Sequence, residues 1–375
     1  MLDLSGLRER TSQKWRQYPR DVLPVFVAEM DYALAPPIAQ ALHDAIDRSD
    51  TGYAWPHELR ETFSRYARKS FDWTVSPERV VIVNDVMGGV SETLRTLTHA
   101  DDGVVIMPPV YPPFFEIVAV AQRRIVEVPL LHNDRYAIDW NDLEMAFSRA
   151  VRCLLLCHPH NPVGRVFTRT ELERLAQLAQ HYSVLVISDE IHAPLVYSGT
   201  THVPFAAVAE PLGIDTVTLM SASKGWNIAG LKCAQMIAGS ERVHAQFKQL
   251  PADVTDRIGH LGVIATAAAY EHGQPWLRET LALLDKNRRL VATLLAKHLP
   301  QIGYREPEAT YLAWLDCRVL QLGDDPAQAF IERAHVALSH GPEFGEAGRG
   351  FARLNFATSN EIVAEAIERM ARTVA

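Results

Sequence analysis

The feature that most constrains this chain is a series of short aliphatic segments separated by helical patterns. Val80-Val81-Ile82-Val83, Val104-Val105-Ile106-Met107, Cys153 to Cys157, Val184 to Ile187 and Thr216 to Met220 each read as a strand. The first four offer water no polar face. Gly88 to Leu97 and Thr168 to Tyr182 read as helices. In the second, Thr168 and Glu171 make a capping box, and Leu172, Leu175, Leu178 and Ala179 form one apolar stripe. Aliphatic strands separated by helices predict an α/β fold whose mostly parallel sheet is covered by helices on both faces. We place this large domain at residues 46–275.

Beyond residue 275 the pattern changes. A long helix is expected from near Trp276 to His298, with short strands near Tyr311 to Leu315 and Phe351 to Leu354. Residues 276–375 therefore read as a smaller α+β domain. Residues 1–45 carry four prolines, Pro19, Pro24, Pro36 and Pro37, and little periodicity. They read as an N-terminal arm or part of the small domain rather than as a core element.

The 375 residues, 48 % of them apolar, are enough for a large core and more than one domain. The net charge of −8 includes no Lys/Arg-rich run, which argues against nucleic acid. No apolar run approaches the roughly 20 residues that span a bilayer. Met1 to Arg10 lacks the order of a signal peptide. Four cysteines make no disulfide framework, and Cys153 and Cys157 read as buried free thiols rather than a metal pair. A reducing cytoplasm is expected.

Ligands of open parallel sheets bind beyond the carboxyl ends of the strands, so polar residues there carry weight. Asn84 to Gly89 lies between a strand and a helix, where backbone N–H groups can hold a phosphate; a plain turn is the alternative. Pro108-Pro109-Val110-Tyr111-Pro112-Pro113 is a stiff loop presenting Tyr111, either to a flat ligand or to the core. In His158-Pro159-His160-Asn161-Pro162-Val163-Gly164, Asn161 can donate a hydrogen bond, and the His-x-His spacing lacks a third metal ligand. Asp189 follows the strand Val184 to Ile187. It is either a cap, a surface acid, or a buried carboxylate that needs a cation. Ser221-Ala222-Ser223-Lys224 follows Thr216 to Met220. Its hydroxyls suit a phosphate; its lysine is either a solvated charge, as is usual after a strand, or a nucleophile if burial lowers its pKa.

Tyr111, Asn161-Pro162-Val163-Gly164, Ser188-Asp189-Glu190 and Ser221-Ala222-Ser223-Lys224, in that order, resemble the fold-type-I, aspartate-aminotransferase-like enzymes that use pyridoxal 5'-phosphate (PLP). Phe351-Ala352-Arg353-Leu354-Asn355 resembles their carboxylate-binding motif. The likeness covers nearly the whole chain. Within the family it is to the MalY/PatB branch of cystathionine β-lyase-like C–S lyases. The stretches that carry it are Val27 to Asp31 with Ala35-Pro36-Pro37, Asp189-Glu190-Ile191-His192, Glu308 to Asp316, and Gly341-Pro342-Glu343-Phe344-Gly345.

The resemblance implies that Lys224 holds PLP as a Schiff base and shuttles protons, and that Asp189 pairs with the pyridine nitrogen. Asn161 would bond the ring oxygen, Tyr111 would stack on the ring, and His192 stands where many relatives carry a tyrosine. Ser221, Ser223, Lys232 and the Val86 and Met87 amides would hold the phosphate. Arg353 would grip the substrate carboxylate. Tyr53 would reach the phosphate of a neighbouring subunit, making a homodimer. Trp226, close after Lys224, departs from the family pattern and is expected to reshape the substrate pocket. The implied reaction is β-elimination on cysteine S-conjugates such as cystathionine, giving thiol, pyruvate and ammonia. The alternatives are an aminotransferase, a lyase for a specialised-metabolite S-conjugate, and a non-catalytic partner-binding protein. Lys224, Asp189 and Arg353 together argue against the last.

Overall fold

The computed structural model describes residues 3–133 and 135–374. Seven strands build the main sheet: β1 (Val80–Val83), β2 (Gly103–Ile106), β3 (Arg124–Glu127), β4 (Val151–Cys157), β5 (Leu185–Asp189), β6 (Thr216–Met220) and β7 (Ala234–Ala238). Their spatial order is β1-β7-β6-β5-β4-β2-β3. β7 runs antiparallel to both neighbours, and the remaining pairs are parallel.

β4 shows why the sheet needs cover on both sides. Cys153, Leu155 and Cys157 enter the core layer that holds Val90, Leu94, Phe114 and Val118 from two helices, Val86–Leu97 and Pro113–Val120. Leu154 and Leu156 enter the opposite layer. There Leu143 and Phe147 come from the helix Trp140–Phe147, and Leu172 and Leu175 from Arg169–Tyr182. Alternate side chains thus enter alternate layers, as strand geometry requires. The capping box of Thr168 and Glu171 forms as the sequence suggests.

The second, four-stranded sheet is antiparallel: Gly303–Tyr304, Leu312–Asp316, Phe351–Asn355 and Ser339–His340, in that order. Helices Gln274–His298 and Asn360–Arg372 supply Leu284, Val291, Leu295, Ile362 and Val363 to the core they share with Leu312, Leu315 and Leu354.

The N-terminal stretch is more deeply built in than an arm. Leu23 and Pro24 pair in parallel with Val336 and Ala337. Leu23, Val25, Met30, Tyr32 and Ile38 are buried. Periodicity could not show this, because the pairing spans two residues and the other anchors are polar. Lys14 and Asp31 form a fully buried ion pair at 2.8 Å, and the Trp15 indole N–H donates to Asp31 at 2.9 Å. Pro36 and Pro37 open the helix Pro36–Asp47, where proline costs no hydrogen bond. That helix packs on His260–His272.

Candidate active site

The chain runs from β2 outward to β3 and then returns to the other side of β2 as β4. The loops leaving β2 and β4 therefore diverge, which opens a crevice at their carboxyl ends. A cavity of about 630 Å³ lies there, within the range of roughly 300–1,000 Å³ usual for small-molecule sites. Val86, Met87, Tyr111, Asn161, Asp189, His192, Ser223, Lys224, Lys232 and Arg353 all line it. They come from far-apart sequence positions.

At the floor, Asp85 caps the helix Val86–Leu97 by accepting from the Gly88 amide at 2.7 Å. Its second oxygen takes the Lys232 ammonium at 3.0 Å. Asn84 packs so closely that a Cβ on Gly88 would sit 2.2 Å from its Oδ1. A side chain at this position would have to displace Asn84, whose Oδ1 accepts from the Asp85 amide at 2.9 Å. The helix start and the Lys232 cation make an anion-binding floor. Ser223 faces it. Ser221 does not: its hydroxyl donates to the Cys233 carbonyl at 2.7 Å and accepts from the Ser223 amide at 3.1 Å, capping the turn that carries Lys224.

Asp189 ends β5 almost fully buried. Among the described residues its carboxylate accepts one hydrogen bond, from the Ile191 amide at 3.1 Å. Burial raises its pKa to about 7, and the Glu190 charge adds to the rise. A carboxylate in this setting calls for a cation. Burial and the nearby Arg353 cation lower the Lys224 amine to about 8, although Asp189 and Glu29 pull the other way. Burial, with the Lys224 and Arg353 charges, holds His192 well below its usual value, so its ring is neutral; its Nδ1 has no partner among the described residues. Asn161 accepts from Arg353 Nη1 at 2.9 Å, which leaves its amide N–H₂ as the remaining donor.

Arg353 sits on Phe351–Asn355, 6 % exposed. Its Nη2 donates to the Phe26 carbonyl at 3.1 Å and the Ser339 hydroxyl at 2.9 Å. Its Nε is buried without a partner among the described residues. Burial lowers its pKa to about 10, which keeps it cationic at neutral pH.

One wall of the cavity comes from a stretch that the sequence marked only by its resemblance, Val27 to Asp31, without a role for its residues. The segment from Phe26 to Met30 crosses the site, and side chains hold five successive carbonyls. Arg353 and Ser339 take Phe26, Asn355 takes Val27, Lys224 and Tyr311 take Ala28, Lys14 and Asn355 take Glu29, and Arg10 and Asn227 take Met30. Lys224 Nζ and the Tyr311 hydroxyl both donate to Ala28 at 2.9 Å. Most of these partners lie some 200–330 positions away, beyond any local signal. Asp85, Gln13 and Gln17 were also missed; Gln13 opens and Gln17 follows the helix Gln13–Arg16, whose four residues are too few to show a periodic face.

Two further residues are placed elsewhere. Trp226 is fully buried, donates to the Gly273 carbonyl at 2.9 Å and packs against Tyr66 and Tyr270, so it shapes the core and not the pocket. Tyr53 is 99 % exposed on the loop before the helix His57–Phe71 and lies outside the cavity lining of this chain. His158 and His160 use their Nε2 atoms on the Val203 and Met107 carbonyls.

A lysine of lowered pKa, a buried carboxylate in need of a cation, an anion-binding floor and a buried arginine suit a phosphorylated pyridine aldehyde and an amino-acid carboxylate. These features, on this sheet, define the fold-type-I class of PLP sites. The chain matches the aminotransferase class I and II family model over residues 20–370, and it belongs to that family. A Mycobacterium leprae protein provisionally named cystathionine beta-lyase is 44 % identical over 395 residues, covering 100 % of this chain and 97 % of its own. The cystathionine beta-lyase of Corynebacterium glutamicum is 35 % identical, covering 98 % of each chain. The PLP-bound C–S lyase from Staphylococcus hominis superposes with a TM-score of 0.92 at 30 % identity, over 98 % of this chain and 96 % of that one.

Proposed function

We propose that this protein is a PLP-dependent carbon–sulfur lyase that cleaves cysteine S-conjugates of the cystathionine type, giving thiol, pyruvate and ammonia. The observation that carries the reading is the meeting of Lys224, Asp189 and Arg353 in one cavity, with the lysine amine brought to about 8. The relatives named for this activity support it.

Lys232, Ser223 and the start of the helix Val86–Leu97 would hold the phosphate, with Asp85 capping that helix and orienting Lys232, and Asp189 would supply the counter-charge to the ring nitrogen. Asn161 would offer a donor to the ring oxygen, His192 would line the cofactor's side of the cavity, and Tyr111 would cover the ring. When bound, PLP supplies an electron sink for the pair left at Cα. Arg353 would take the substrate carboxylate by a charge-assisted hydrogen bond that helps fix the Cα–H direction. The released Lys224 amine, neutral above about pH 8, takes the Cα proton. The Cβ–S bond then breaks, and sulfur leaves with the electron pair as thiolate. The strap from Phe26 to Met30 walls off water on this side.

The active unit in this proposal is a homodimer. Tyr53 and Trp55, 99 % and 71 % exposed on one loop, are supported as interface residues by that exposure. A reducing, cytoplasmic setting accords with Cys153, Cys157, Cys233 and Cys317, whose buried thiols are free. Among the described residues no helix is long and apolar enough to cross a membrane. The test is incubation with L-cystathionine and no keto acid. Pyruvate and free thiol in equal amounts support the reading. Turnover only on addition of a keto acid, with no thiol, replaces it with transamination.

A further inference from the structure

His340 ends the short strand Ser339–His340, which pairs with Phe351–Asn355. Ser339 lies opposite Arg353 and His340 opposite Ala352, so His340 is one strand position from the partner of Arg353. It lines the same cavity. Its Nδ1 meets Asp325 Oδ2 at 2.7 Å. An ionised carboxylate only accepts, so Nδ1 carries the hydrogen and Nε2 is left for a ligand. No hydrogen bond among the described residues occupies Nε2, and the side chain is 25 % exposed, so the ring is not sealed away. Asp325 gives up a local role to make this contact. It is the N-cap residue of the helix Pro326–Ala334, where an aspartate ordinarily accepts from an amide of the first turn. No such bond forms here. The carboxylate turns to His340 instead, and its Oδ1 is buried with no partner among the described residues. A carboxylate that orients an imidazole at a cavity wall is the arrangement that acid–base chemistry uses.

We propose that His340 is the general acid that protonates the departing sulfur, and that Asp325 is its positioning residue. This inference rests on the β-elimination reading and adds to it the fate of the sulfur. As the Cβ–S bond breaks, sulfur keeps the bonding pair. The proton on Nε2 of the imidazolium moves to that pair, and a neutral thiol departs. The ring is left neutral, with Nδ1–H on Asp325, and solvent returns a proton to Nε2. Lys224 is the competing donor, because it holds the proton taken from Cα. His192 has no second proton to give, since burial, with the Lys224 and Arg353 charges, keeps its ring neutral.

The need for an acid grows with the basicity of the leaving thiolate, and the experiment uses that dependence. Holoenzyme without keto acid is given S-ethyl-, S-phenyl- and S-(4-nitrophenyl)-L-cysteine, whose thiols are increasingly acidic, and thiol release is followed. H340Q is expected to lower kcat on the ethyl compound about a hundredfold and on the nitrophenyl compound by no more than about threefold. D325A keeps the imidazole but frees it, and its losses fall between those of H340Q and the wild type in the same order. Unaltered visible absorbance of the bound cofactor checks that both variants keep the site. Nitrogen-15 NMR of the cofactor-free protein reads the positioning without turnover. Neutral His340 should carry its hydrogen on Nδ1 in the wild type and shift towards Nε2 in D325A; an unchanged tautomer would remove Asp325 from the pair. Equal losses on all three substrates, or no loss on any, would overturn the His340 assignment and leave the lyase reading standing. If the wild type releases no thiol from any of the three, the lyase reading falls and the assignment with it.

Discussion

Lys224 at a pKa near 8 gives the residue scale its sharpest expectation. An amine must be neutral to attack an aldehyde. Its folded pKa lies below the ordinary lysine value of about 10.4, so the reactive fraction grows as pH rises through 8 and is already large at pH 9. The rate at which cofactor-free protein captures PLP should rise with a midpoint near pH 8. A midpoint near the ordinary lysine value would mean that burial does not act on this amine as described. Lys224→Ala should abolish the visible absorbance of the lysine-bound cofactor. Arg353→Ala should keep that absorbance and raise KM at least tenfold, because it removes a charge-assisted pair worth about 1.5–3 kcal/mol. Loss of colour in that variant would put Arg353 in the cofactor's binding and not the substrate's.

At the scale of elements, the helix start and the strap do the positioning. Gly88→Ala would place a methyl against Asn84 Oδ1, displace that side chain from the Asp85 amide, loosen the first turn of Val86–Leu97 and weaken PLP binding. Equilibrium titration of the refolded apoprotein checks this, and unchanged affinity would remove that turn from the phosphate site. Asn227→Ala deletes both bonds to Met30, at 2.8 and 2.9 Å. It should lower the stability to urea by about 1–3 kcal/mol and lower kcat with it.

These elements also show what the sequence discloses. β1 and β6 were readable because apolar or β-branched residues fill them from end to end. Asp189, Asn161 and Lys224 were readable because each closes a recognisable strand or turn. β3 was not, since its residues at the sheet's edge are all at least partly exposed. β7 was not, since the buried Gln235, bonded to the Tyr270 hydroxyl, breaks the apolar run. The strap's bonding was unreadable for a deeper reason. Backbone carbonyls have no letter in a sequence, and the residues that hold them are local nowhere. Trp226 misled because nearness to Lys224 along the chain says nothing of which way a ring turns after a short helix.

For the whole molecule, the two sheets and the N-terminal segment meet around one cavity. Arg353 arrives from the small sheet, Lys224 and Asp189 from the large one, and Ala28 from the strap. Tyr53 stands outside this arrangement, as a residue serving a second copy would. Sedimentation should show a dimer, and Tyr53→Ala should weaken PLP binding in it. A monomer with full activity would remove Tyr53 from the account. The central claim is tested most directly by purified holoenzyme and L-cystathionine without any keto acid. Stoichiometric pyruvate and thiol are the expected products. Dependence on an added keto acid, with the carbon–sulfur bond left intact, would contradict the account.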